Sequence, residues 1–115
     1  MNIQWEENGS KGICFIAEGR KKILAIHYIW SKEDLMVLDH LEFAYPDARQ
    51  MLNHVVHHIV ENARVLGSRI IPLCDQVMEI FERTPSYDDV LYLKEKARGG
   101  VAFPGNPIRT RELFG

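Results

Sequence analysis

The chain has 115 residues, of which 46% are apolar and 26% charged, with a net charge of −2. That length suits one domain able to bury about two-thirds of its unfolded surface, and the composition excludes a disordered chain. The small charge supplies no basic field for nucleic acid, no apolar run approaches the roughly 20 residues of a membrane-spanning helix, and two cysteines are too few for a disulfide scaffold.

The stretch from Met1 to Gly9 is polar and acidic, unlike a signal peptide. A reducing cytoplasm is the expected compartment for Cys14 and Cys74. From there the pattern predicts an α/β domain with a mixed sheet, in the order β-β-β-α-β-α-β, followed by a turn-rich tail. The first strand is read at 12–18, before the turn Gly19-Arg20-Lys21. The second, at 22–30, is apolar on both faces: Ile23, Ala25 and Ile29 on one, Leu24, Ile26, Tyr28 and Trp30 on the other. Such a strand belongs in the middle of a covered sheet. The third runs over 35–43, and with no helix between them the three form an antiparallel meander.

Ala48, Met51, Leu52, Val55, Val56, Ile59, Ala63 and Leu66 then recur at helical spacing, with Asn53, His54, His57, Glu61 and Arg64 opposite. Asp47 is placed as the N-cap, with Gln50 completing a capping-box-like pair, and Gly67 as the stop. At 1.5 Å per residue this helix would be about 30 Å long. A short strand is expected at 69–73, a helix at 75–83 starting just after Cys74, and a last strand at 87–92. From residue 94, Gly99, Gly100, Pro104, Gly105 and Pro107 change the texture, so a domain at 1–93 and a tail at 94–115 are drawn. The tail carries Val101, Ala102, Phe103, Leu113 and Phe114, more apolar than a linker. It is expected to dock, either in the cleft a cofactor would fill or on a second subunit of a homodimer.

Four blocks between His40 and Tyr92 carry a resemblance. They are Asp39-His40-Leu41-Glu42-Phe43, Gly67-Ser68-Arg69-Ile70-Ile71-Pro72-Leu73-Cys74, Val77-Met78-Glu79-Ile80-Phe81-Glu82-Arg83, and Thr84-Pro85-Ser86-Tyr87-Asp88-Asp89-Val90-Leu91. These resemble the His-x-Glu strand end, the Val-Pro-Leu-Cys strand end, the short second helix and the Pro-x-Tyr ending of minimal single-domain GNAT acetyltransferases. With the first strands matching in order and length alone, the resemblance covers residues 10–92. It implies a GNAT-like sheet with the long helix packed on it, acetyl-CoA as donor and an amine as acceptor. The alternative is a catalytically silent relative that has lost coenzyme A binding and serves as an interaction module.

One departure bears on that choice. Members of the family carry Arg/Gln-x-x-Gly-x-Gly/Ala where the long helix starts, and bare amides there hold the pyrophosphate. The matching positions are Asp47-Ala48-Arg49-Gln50-Met51-Leu52, without a glycine. Gln50 and Leu52 set side chains where the backbone should come close, and a capping Asp47 carboxylate would occupy an amide the phosphate needs. Arg49 offers a side-chain substitute. The resemblance therefore places the cofactor at Arg49 and Gln50, with Phe43 and Leu73 at the ends of the two strands nearby.

Acetyl transfer needs a base, oxyanion stabilisation and an acid for the leaving thiolate. His40 and Glu42, two apart on a strand, share a face, and either can be the base; the competing reading is an ordinary sheet histidine and an exposed glutamate. Cys74, at a helix start, is placed for a thiolate nucleophile, against a small residue packing the strand–helix junction next to an unfavourable Asp75. Tyr87 matches the block that would return a proton to the thiolate, although a buried tyrosine anchoring the second helix is the favoured reading. His54, His58 and Glu61 have metal-ligand spacing on one helical face, but a solvated face is preferred and no metal is assigned. His27 is read as a satisfied sheet histidine, Cys14 as core, and Arg20, Lys21 and Lys22 as a charged hairpin turn.

Overall fold

The structure is a computed structural model that describes residues 2–32 and 34–92. Four consecutive strands pair antiparallel: β1 (Ile3–Asn8), β2 (Lys11–Glu18), β3 (Lys21–Lys32) and β4 (Leu35–Phe43). Gly9 and Gly19 turn the first two hairpins at φ 67° and 63°, left-handed values that glycine adopts without a Cβ penalty. A 3-10 turn (Pro46–Met51) leads into α1 (Leu52–Leu66), then β5 (Arg69–Pro72), α2 (Asp75–Arg83) and a second 3-10 turn (Pro85–Tyr87). β5 pairs parallel with β4, so the sheet order is β1-β2-β3-β4-β5, with β3 central as its two apolar faces predicted. No helix among the described residues is long and apolar enough to cross a membrane.

Both helices pack on one face of the sheet. Cys14, Ile26, Tyr28, Met36 and Leu38 meet Val55, Val56, Ile59, Val77 and Phe81 in one core, all 2% exposed or less. Burial pushes the Cys14 thiol up to about 12, which makes it inert packing. The opposite face carries a smaller buried cluster, Leu35, Val37 and Ile71.

Three expectations are corrected. The stretch before Gly9 is a strand, β1, and not a plain polar lead. Only Ile3 and Trp5 pack on the core, too few for a period-2 signal, so the strand is held by tertiary contacts. The Trp5 indole N–H donates to His58 Nε2 at 3.0 Å on α1, while Tyr28 Oη and Trp30 Nε1 both donate to Glu7 Oε1. At the long helix, Asp47 does not cap and Gln50 completes no box. Residues 46–51 wind as a 3-10 turn that starts after Tyr45 and has no side-chain cap, so α1 begins at Leu52. Gly67 does end it, at φ 73°. The last strand shrinks to one parallel bridge, Leu91 to Ile70, because the 3-10 turn at Pro85–Tyr87 uses the residues before it. The expected tail at 94–115 lies outside the described residues.

Candidate functional site

A one-residue irregularity in β4 builds the site. Leu38 pairs with Tyr28 and His40 pairs with His27, leaving Asp39 without an opposite number on β3. Such a bulge reverses the alternation of the strand. Before it, Met36 and Leu38 point into the core; after it, Leu41 and Phe43 do. His40 and Glu42 are thereby turned to the face away from the helices, opposite His27 and Ala25 of β3.

Three side chains meet there. His27 Nε2 lies 2.9 Å from Glu42 Oε1, and because a carboxylate can only accept, the imidazole is the donor. His40 Nε2 lies 3.6 Å from Glu42 Oε2, an ion-pair distance longer than a hydrogen bond. The two rings are 5.1 Å apart. The hydrogen bond from His27 holds the Glu42 carboxyl below the usual range, with smaller contributions from the charge of both histidines. An open cavity of about 340 Å³ reaches the pair, with Lys22, Ala25, Phe43 and Ala44 among its walls.

Beside it, β4 has a free edge. Its pairing with β5 stops at Leu38, where the Leu73 amide donates to the Leu38 carbonyl, and β4 then runs on to Phe43. From Asp39 to Phe43 the side of β4 away from β3 meets no strand among the described residues. A strand edge of this kind accepts an extended, amide-bearing chain.

The remaining expected residues fall elsewhere. Arg49 sits in the 3-10 turn, its guanidinium 5.9 Å from the Phe43 ring, and its Nε donates to Gln76 Oε1 at 3.0 Å. With Gln76 and Arg83 it lines a second cavity, of about 290 Å³. Gln50 is exposed in the same turn, and Leu73 is exposed just beyond β5. Cys74 is the N-cap residue of α2, half-buried against the main core, with a free thiol. Tyr87 is buried against Phe81, its hydroxyl 3.1 Å from His57 Nδ1, and burial raises its pKa. The sheet therefore lies between the His40–Glu42 pair and both Cys74 and Tyr87.

Sequence reasoning missed His27 as a member of the site. Its signal was present: Leu38 and Leu41 break the period-2 pattern of β4, which marks the bulge that sets His40 against it. The helical histidines do not assemble as their spacing suggests. His58 is taken by Trp5, and His57 is the one that faces Glu61, at 3.7 Å.

No protein-family model matches the chain, and no curated protein matches it. Among solved structures it is similar to the solution structure of a Staphylococcus aureus protein provisionally described as a GCN5-like N-acetyltransferase. The identity is 21%, the TM-score 0.59, and the match covers 78% of this chain and 88% of that one. At that identity the likeness speaks to the fold alone: a five-stranded mixed sheet with two helices in the GNAT-like arrangement.

Proposed function

We propose that this domain transfers an acetyl group from acetyl-CoA to an amine, in the cytoplasm. The observation that supports the reading most is the His40–Glu42 pair, exposed beside the free edge of β4 in a GNAT-like fold. The fit to the donor is mixed. The turn at Pro46–Met51 has no glycine, and Ala48 is fully buried, so no bare backbone cradle faces a diphosphate. The uncapped turn nevertheless leaves its amides unclaimed by any side chain, correcting the expectation that the Asp47 carboxylate takes one. Arg49 would hold the diphosphate, beside Gln50, and the β4 edge between Phe43 and Leu73 would hold the amide-bearing arm.

When bound, the donor supplies an activated acyl carbon. His40 Nε2 would take the proton released as the amine nitrogen bonds to that carbon, Glu42 would stabilise the resulting imidazolium, and the same proton would pass, directly or through water, to the thiolate that leaves as the carbon–sulfur bond breaks. His40 is preferred over Glu42 as base because the His27 hydrogen bond makes Glu42 a weaker one. Tyr87 has its hydroxyl engaged with His57 behind the sheet, which favours anchoring α2 over proton delivery. Cys74 packs the strand–helix junction, and an acetyl-cysteine there would show as an acetyl-CoA-dependent mass increase after rapid quenching.

The test is a thermal-shift titration with acetyl-CoA and free coenzyme A. Saturation at 100 times the dissociation constant adds about 2.7 kcal/mol, a rise of about 10 °C for a domain of this size. With binding established, His40→Gln should lower acetylation of a panel of small primary amines about 10²–10⁴-fold. Unchanged turnover would remove His40 as base. The glycine-free turn favours one second reading, a silent relative acting as an interaction module, and absence of any shift at millimolar cofactor selects it.

A further inference from the structure

The cluster of His27, His40 and Glu42 has more structure than a proton acceptor needs. Among the described residues it is the one group of three or more His, Cys, Asp or Glu side chains whose ligand atoms converge, all within 4.8 Å of one another. We infer that this cluster is a binding site for a divalent transition-metal ion of the zinc, nickel and copper class, held by His27 Nε2, His40 Nε2 and the Glu42 carboxylate.

Geometry comes first. Metal–nitrogen and metal–oxygen bonds of about 2.0–2.1 Å in a tetrahedral site set neighbouring ligand atoms about 3.3 Å apart. His27 Nε2 lies 2.9 Å from one Glu42 carboxylate oxygen and His40 Nε2 3.6 Å from the other, and the three ligand atoms all lie within 4.8 Å of one another before any ion is present. Small rotations of exposed side chains suffice to centre an ion. The backbone positions are set in advance, because His27 and His40 are direct partners on β3 and β4 and Glu42 follows two residues on. Had β4 kept its alternation through Asp39, His40 and Glu42 would point into the core.

Chemistry selects the ion. Two neutral imidazoles and one carboxylate suit zinc, nickel, copper or ferrous iron, whereas calcium and magnesium prefer oxygen alone. The carboxylate offsets half of the ion's charge. To bind, His27 gives up its Nε2 hydrogen bond to Glu42 and carries its proton on Nδ1, so one hydrogen bond is exchanged for three coordinate bonds. The side chains are 37% to 59% exposed, so the remaining positions stay open to water. Protonated imidazole cannot ligate, so protons compete with the ion and affinity falls in acid.

Nothing in this inference requires acetyl transfer. Should the domain be an acetyltransferase, the ion would withdraw His40 and Glu42 from proton transfer and act as an inhibitor.

The experiment is a titration of the tag-free full chain with zinc chloride at pH 7.5, followed by competition with a chromophoric chelator and repeated with nickel and magnesium. The expected result is one zinc or nickel ion per chain, no magnesium, and weaker binding at pH 5.5. His27→Ala and His40→Ala should each weaken binding at least as much as loss of an outer-shell partner does, about 10–100-fold. Glu42→Gln gives a variant of the same shape that should weaken it too. His54→Ala with His57→Ala, removing exposed histidines of α1, should leave affinity unchanged. The inference is overturned if the wild-type chain binds no stoichiometric ion, if affinity survives loss of His27 and His40, or if the α1 substitutions abolish it instead.

Discussion

Gly12→Ala should be among the most damaging small substitutions in this protein, for a reason of space and not of backbone conformation. A Cβ on Gly12 would lie 2.4 Å from Tyr28 Oη, 2.5 Å from its Cζ and 2.7 Å from the Glu6 carbonyl oxygen. Two of these neighbours cannot yield cheaply. Tyr28 is 2% exposed and hydrogen-bonded to Glu7, and the Glu6 carbonyl is backbone of the paired strand β1. Overpacking costs about 1–3 kcal/mol, and a lost hydrogen bond to a carboxylate about 1.5–3 kcal/mol. A total of about 2.5–6 kcal/mol follows if the ring moves far enough to release Glu7, which lowers the melting temperature by about 10–24 °C at roughly 4 °C per kcal/mol. Urea and thermal unfolding measure it. Gly9→Ala is the control: nothing lies within 4 Å of its Cβ, so it should cost only the about 1–2 kcal/mol of a left-handed φ. A Gly12→Ala protein within about 0.5 kcal/mol of wild type would refute the packing argument.

Other outcomes are expected. Arg64 donates to both oxygens of Asp89 and holds that carboxyl below its usual pKa. A depressed folded-state pKa gives stability that is present above the unfolded carboxylate pKa near 4 and lost as pH falls through the lower folded value. Asp89→Asn should therefore destabilise at pH 7 and change little at pH 2; an equal loss at both would mean the ion pair is not the cause. If acetyl-CoA binds, Arg49→Ala should raise its KM about 10-fold with kcat unchanged, as for uniform binding, and an unchanged KM would remove Arg49 as the diphosphate anchor. In His27→Ala the Glu42 carboxyl should titrate higher, as read by NMR of its side-chain carbon, and no rise would show that His27 does not hold it down. Truncation at Lys94 should lower the melting temperature or change the oligomeric state. The described chain reaches Tyr92, bonded to Ile70, next to the buried Ile71 of the face opposite the helices. No change in either would end the expectation that the tail docks.

Most of the fold was legible because strong periods mark it. β4 and α2 carry the bounds that their patterns set, and Gly67 ends α1 as a left-handed glycine should. β1 was not legible because Trp5 acts through a partner 53 residues away, a contact that no local window contains. The start of α1 misled because Asp47 has the right residue type for a cap, while Pro46 at the first helical position favours a tight 3-10 turn whose cap position is Tyr45, two residues earlier. At the site, the shared face of His40 and Glu42 could be read from their spacing along one strand. The third member, His27, needed the broken alternation at Leu38 and Leu41 to be taken as a bulge, since cross-strand pairing depends on a register that one extra residue resets.

That extra residue works as a reading frame. Deleting Asp39 would make Leu38 and His40 successive partners of Tyr28 and His27, so the bulge would vanish with His40 and Glu42 still outward and Leu41 and Phe43 still on the core; keeping Asp39 but straightening the strand would exchange the two sets. Whether Asp39 takes a partner on β3 thus decides which side chains this surface shows. A comparison of this chain with others of its fold that pairs residues without allowing a gap at Asp39 would match the wrong face of the strand from there to Phe43.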